Sequence, residues 1–236
     1  MILYIFIFIA FVAFGIFVAN NAQSEFMKVY KEYKKINIEE YVTVQDFLNK
    51  LYNTRKFSSV RYVLIDKELN DSYYYKNNTV YLSKTTASGF NIASFAIIAH
   101  EMGHAEQNLD GSKMYNFSLF LRKLSRWIGW LAMPLTIIGA ILAFVTSSEE
   151  SALGWIVLGI GILLFAIMIL SSLVITIIEF NASKRAINLL RQHKIMDESE
   201  LKKAKRFLRH AGYTYLGNFF SFLFSWTFLV PKPKVL

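Results

Sequence analysis

His100 and His104, with Glu101 between them, are the residues of this chain best suited to chemistry. They stand in His100-Glu101-Met102-Gly103-His104, an H-E-x-x-H arrangement. Ile92, Phe95, Ala96, Ile97 and Ile98 lead into it with no proline nearby, so the spacing predicts a helix within Asn91 to Asn108. Positions i and i+4 lie one above the other on a helix, so both imidazoles can address one metal ion. Glu101 then sits beside that ion, placed to act as a base on a water rather than to ligate. With 4 His and 12 Glu in 236 residues, shuffling yields this pattern only about 0.003 times, so coincidence explains it poorly. The plain alternative is a pair of surface histidines beside a solvated glutamate.

The elements that must position these groups are built from apolar blocks. Hydrophobic residues make up 54% of the chain and aromatics 16%. Ile2 to Ala19, Trp127 to Ser147 and Ala152 to Ile178 are uncharged runs. Each is long enough to cross a hydrocarbon layer of ~30 Å at ~1.5 Å per residue. Three transmembrane helices are therefore expected. Gly212 to Val230 is also apolar but is interrupted by Asn218, Ser221, Ser225 and Thr227. It reads as a fourth span, a re-entrant segment or an interfacial helix. The first run lacks a basic leader and exceeds the ~7–15 residue apolar core of a signal peptide, so an uncleaved anchor is expected. The absence of cysteine excludes disulfides and thiolate metal ligands.

Charge predicts orientation. Lys28, Lys31, Lys34 and Lys35 follow the first run, and Arg122, Lys123 and Arg126 precede the second. Only Glu149 and Glu150 lie between the second and third, and Lys184, Arg185, Arg191 and Lys194 follow the third. The positive-inside rule puts 20–126 and 179–212 on the cytoplasmic side and the Glu149–Glu150 link outside. The net charge of +9 is then explained by topology and anionic headgroups. With no aromatic-and-basic RNA-binding module in view, nucleic acid is not an expected partner.

Between the first two runs the pattern predicts a small α+β region. Phe26 to Ile38 alternates Lys with aromatics, as in a helix or linker along the membrane face. Thr43-Val44-Gln45-Asp46 resembles a capping box ahead of an amphipathic helix. Val60 to Ile65, Tyr73 to Tyr75 and Thr79 to Leu82 are rich in aromatic and β-branched residues, with a turn signal at Asn77-Asn78. They predict a small antiparallel sheet, in which the Tyr73-Tyr74-Tyr75 cluster packs rather than ligates. Thr79, Val80, Tyr81 and Leu82 form the expected edge strand, onto which a peptide substrate would add. The glycines and alanines of the second and third runs (Gly129, Ala132, Gly139, Ala140, Gly154, Gly159 and Gly161) predict close helix packing. Pro134 is a possible kink in the second run.

A catalytic zinc site takes three protein ligands and leaves one position open. Glu179 is the first acidic residue after the third run. A carboxylate at the end of a membrane helix is costly without a partner, which marks Glu179 as the third ligand; the plain reading pairs it with Lys184 or with water. Two runs separate His104 from Glu179, and an even number returns the chain to the same side of the membrane.

The pairing of Ala99-His100-Glu101-Met102-Gly103-His104-Ala105 with Glu179-Phe180-Asn181-Ala182-Ser183 resembles the YugP-type neutral zinc metallopeptidase family of bacterial membranes. It is more distantly similar to HtpX-type membrane peptidases, which also place two spans between histidines and glutamate. The likeness extends over most of the chain. It implies one catalytic Zn2+ held by His100, His104 and Glu179, with Glu101 as catalytic base. Two positions depart from the pattern. Glu106 stands where an apolar residue is expected, and Ser183 stands where the HtpX type carries an acid.

The expected fold is a membrane α-helical bundle of three to four transmembrane helices carrying a small cytoplasmic α+β, zincin-like subdomain. Its segments are an anchor at 1–19, the subdomain at 20–126, a transmembrane hairpin at 127–178, a cytoplasmic helical segment at 179–212 and an apolar segment at 213–236. The expected chemistry is zinc-dependent hydrolysis of peptide bonds at the cytoplasmic face of the cell membrane. Its substrates are peptides or membrane proteins presented at the lipid bilayer; no pattern assigns an oligomeric state. Candidates to stabilise the transition state or to bond the ligands are His210, Arg185, Tyr213, Asn181 and Ser183, although His193 and His210 also read as solvated residues of a basic stretch. The competing classes are a catalytically silent membrane protein with a structural zinc, and a transporter-like bundle. The transporter reading fits poorly, because the second and third runs carry only Ser and Thr as polar side chains.

Overall fold

Apolar residues recurring every three to four positions organise most of the chain into helices, and the computed structural model describes residues 2–39, 42–145 and 148–223. In chain order the elements are α1 (Ile2–Tyr33), α2 (Val44–Tyr52), β1 (Arg61–Ile65), β2 (Ser72–Tyr74), β3 (Thr79–Ser83), α3 (Lys84–Ala87), α4 (Ile92–Leu109), α5 (Lys113–Val145), α6 (Ser148–Gln192) and α7 (Glu198–Leu223). They divide into two compact units. Among the described residues, one comprises Asn21–Asn116 and Thr176–Tyr215; the other comprises 2–20, Phe117–Ile175 and 216–223.

Among the described residues, two helical stretches are long and apolar enough to cross a membrane, Lys113–Phe144 of α5 and Ala152–Gln192 of α6, and the second unit takes their parts within Phe117–Ile175. They approach closely through small residues: a Cβ on Gly139 would run into the Leu158 backbone, and one on Gly154 into Ala143. Gly159, by contrast, faces open space. Pro134 lies inside α5, which continues through it. The expected anchor at 1–19 forms the start of α1 from Ile2, and most of its side chains lie outside the described residues. The expected apolar segment at 213–236 is described only to Leu223, as the end of α7; the rest lies outside the described residues.

The first unit holds the H-E-x-x-H sequence. Phe26, Val29, Tyr30 and Tyr33 of α1 follow a 3.6-residue period and are buried in its core. Of the helix or linker expected here the structure shows the helix, and the Lys–aromatic alternation is its outer and inner faces. Thr43 caps α2 in a reciprocal capping box with Asp46. Phe47, Leu48 and Leu51 of α2 meet Phe95 of α4, Leu190 of α6 and Phe207 of α7 in one apolar cluster.

The sheet corrects two expectations. Its order is β1-β3-β2, with β1 parallel to β3 (Arg61 opposite Thr79, Ile65 opposite Ser83) and β2 antiparallel to it (Tyr73 opposite Val80). It is mixed rather than antiparallel, and Thr79, Val80, Tyr81 and Leu82 occupy the central strand rather than an edge. Val80 and Leu82 are completely buried, and Thr79 and Ser83 are buried on the other face. A strand covered on both faces loses the alternation that would mark it, and edge status depends on partners the strand's own residues do not encode. The turn at Asn77-Asn78 is present, with Asn78 in the left-handed region at φ 50°.

Candidate metal centre

α4 begins with Asn91, whose side chain accepts the Ser94 N–H at 3.0 Å. Fifteen of its eighteen residues are buried. A helix covered on nearly every side presents its polar residues to protein rather than to water. His100, Glu101 and His104 are 4%, 2% and 9% exposed.

Gly103, between the two histidines, lets α6 come close. A Cβ there would lie 2.5 Å from the carbonyl oxygen of Ala182. The backbone contact brings in Glu179, one turn earlier on α6 and 1% exposed. Its Oε2 lies 3.2 Å from His100 Nε2 and 3.3 Å from His104 Nε2. One ligand atom from each of the three residues falls within 4.8 Å of the others. A tetrahedral zinc with arms of ~2.05 Å has ligand–ligand edges of about 3.3 Å, so two imidazole nitrogens and one carboxylate oxygen at these separations suit that ion in donor type and spacing. The sequence expectation differs in one detail: Glu179 is not at a helix end, because α6 runs on to Gln192.

The remaining ring nitrogens are also engaged. His100 Nδ1 lies 3.3 Å from Ser183 Oγ, and His104 Nδ1 lies 2.9 Å from Gln107 Oε1. Glu101 points to the sheet, where its Oε2 accepts the Tyr73 N–H of β2 at 2.6 Å. Burial raises its pKa to about 7, with the Glu179 and Asp71 carboxylates pushing the same way against His100 and the Tyr73 N–H. The Tyr73 hydroxyl donates to Asn78 Oδ1 at 2.6 Å and accepts from Asn108 Nδ2 at 2.9 Å. Tyr73 thus contacts α4 at two residues seven apart and fixes β2 along it.

A profile of the family described as "Putative neutral zinc metallopeptidase" matches residues 4–230. The chain belongs to this family. "Putative membrane protease YugP" of Bacillus subtilis (strain 168) is 24% identical over 215 residues, covering 90% of this chain and 89% of the relative. No solved structure matches the chain. The family name implies zinc, and the His100–His104–Glu179 group of this metallopeptidase family member can hold a metal.

The other expected site residues separate into two sets. Ser183 reaches His100, and Asn181 bonds the Gln107 side chain. Arg185 donates Nε to Asn181 Oδ1 at 3.1 Å and pairs with Asp110 at 2.5 Å and with Glu106 at 3.3 Å. His210 Nδ1 bonds the Arg206 carbonyl of its own helix at 2.9 Å, and Tyr213 stacks edge-on against Phe180. Neither α7 residue has a described contact with the metal ligands. The sequence reading missed Gln107 and the Tyr73 N–H. Gln107 was detectable, since i+3 from His104 lies on the same helix face. The Tyr73 contact was not, because it depends on how β2 packs against α4.

Proposed function

We propose that this chain is a zinc-dependent membrane peptidase that hydrolyses peptide bonds at the cytoplasmic face, anchored by three to four transmembrane helices with a zincin-like cytoplasmic unit. The convergence of His100, His104 and Glu179 ligand atoms in a buried cluster, with Glu101 beside them, carries this reading. Family membership and a relative named as a membrane protease support it. Zinc held by His100, His104 and Glu179 would supply Lewis-acid polarisation of the scissile carbonyl and a water nucleophile near neutral pH. Glu101 takes the proton from the attacking water and returns it to the leaving amine, the two roles one carboxylate beside the nucleophile can fill in turn. Burial keeps bulk water from the proton being transferred.

Tyr73 directs its N–H away from β3 and onto Glu101, so the side of β2 opposite β3 packs on α4 and holds the base in place. The excess of Lys and Arg in 20–126 and 179–212 supports the cytoplasmic orientation.

The test uses the full chain purified in detergent, with metal content measured alongside cleavage of a labelled unfolded protein. Glu101→Gln should retain zinc and lose at least ~100-fold in rate. Glu179→Ala should lose zinc. Undiminished cleavage by Glu101→Gln would refute the mechanism, and full zinc in Glu179→Ala would refute the third ligand.

A further inference from the structure

Gln107 is 1% exposed and uses both ends of its amide. Nε2 lies 3.1 Å from the carbonyl oxygen of Ile178 and 2.9 Å from Asn181 Oδ1, while Oε1 faces His104 Nδ1 at 2.9 Å. Amide orientation is settled by its partners, and these partners leave no choice. The Ile178 carbonyl can only accept. Arg185 Nε, which can only donate, lies 3.1 Å from Asn181 Oδ1, so Asn181 presents oxygen at that point. Gln107 must therefore offer its NH2 to both oxygens and its own oxygen to His104. A neutral imidazole facing that oxygen carries its proton on Nδ1. Nε2 is then left with a lone pair, directed at Glu179 Oε2 3.3 Å away.

We infer that Gln107 is a positioning residue which, oriented by Ile178, Asn181 and Arg185, holds His104 as the Nδ1–H tautomer with Nε2 free to bind metal. The inference rests on the zinc-site reading for its consequence but not for its geometry. The same amide ties α4 to the backbone residue before Glu179, so one side chain controls both the tautomer of one ligand and the helix carrying another. Arg185 thereby acts on His104 at a distance, through Asn181 and Gln107. Carboxamide and carboxylate partners of ligating histidines are worth about 10–100-fold in metal affinity.

Two substitutions separate the hydrogen bond from simple packing. Gln107→Met keeps the length and removes the acceptor; Gln107→Glu keeps an acceptor for His104 while giving up the donors to Ile178 and Asn181, so it is read by the His104 tautomer and not by stability. The readouts are 15N shifts of His104 in metal-free, histidine-labelled full chain at mildly alkaline pH, and Co2+ affinity by chelator competition. Wild type and Gln107→Glu should show Nδ1–H, and Gln107→Met should show Nε2–H with Co2+ affinity reduced about 10–100-fold. An Nε2–H His104 in wild type, or the same tautomer in Met and Glu variants, overturns the inference. If Gln107→Met does not fold, the tautomer in wild type and Gln107→Glu still decides it. Wild type with Nδ1–H that takes up neither Co2+ nor Zn2+ would sink the zinc reading and leave the tautomer assignment standing.

Discussion

Gly103 and Ala182 meet backbone to backbone, at a distance that leaves no room for a methyl group. The contact sits between the histidines of α4 and one turn beyond Glu179 on α6, so it governs how closely the Glu179 carboxylate approaches the two imidazoles. Gly103→Ala should push the helices apart by a few tenths of an ångström or more and destabilise the protein by ~1–3 kcal/mol. The same displacement should lower zinc occupancy, because ligand spacing is what the contact sets. Thermal unfolding and metal analysis on one preparation check both. Full occupancy at wild-type stability would mean that α6 can move without consequence.

Glu106 occupies a position where the sequence pattern favours an apolar residue, and the structure gives it a use. Lys56 Nζ lies 2.6 Å from Glu106 Oε1 and 2.9 Å from Asp110 Oδ1, and Arg185 contacts both acids on the other side. Two cations and two anions alternate in a closed ring joining α6, α4 and the turn after α2. The members are partly exposed, so the ring is worth about 1 kcal/mol and is open to screening. Glu106→Leu should lower the melting temperature in dilute buffer, with the deficit shrinking at ~1 M salt. A deficit that ignores salt would identify the contribution as packing.

The sequence carried the candidate metal-holding group more legibly than the architecture around it. His100, Glu101 and His104 are adjacent in the chain, and helical periodicity alone brings them to one place. Glu179 was found by a cost argument, since an acid next to an apolar run needs a partner. The α2 capping box and the Asn77-Asn78 turn were visible because local hydrogen bonds and φ preferences dictate them. What escaped depends on distant segments. β3 inserts between β1 and β2, and nothing within Thr79–Ser83 announces two neighbours. The apolar run that predicted a membrane helix ends at Ile178, yet α6 continues to Gln192 because the residues beyond are good helix formers with Ala182 and Ala186 packed inside. Gln107 has meaning only once Ile178 and Asn181 are opposite it.

The Tyr52 hydroxyl is buried with no hydrogen-bond partner among the described residues, while its ring lies nearly parallel to that of Tyr62, with 6.4 Å between centroids. Burial pushes its pKa up to about 12. Tyr52→Phe keeps the ring contact and removes an unsatisfied polar atom, so it should stabilise the protein by ~1 kcal/mol. Denaturant unfolding of the two proteins measures this directly. A destabilised Phe variant would mean that the hydroxyl is bonded in solution.

His193, just past the end of α6, sets its ring edge against Phe47, with centroids 6.5 Å apart. Burial and then the nearby Lys50 ammonium hold its pKa below the ordinary 6.5. The unfolded chain therefore takes up this proton before the folded one does. Stability from the neutral ring is fully present above pH 6.5 and is lost as pH falls from there through the depressed folded value. His193→Gln removes that proton uptake and leaves every other titrating group in place. The drop in melting temperature between pH 7.5 and 5.5 should be smaller in His193→Gln than in wild type, with both proteins in the same detergent and metal state. Equal drops in the two proteins would show that this histidine titrates alike in the folded and unfolded chains.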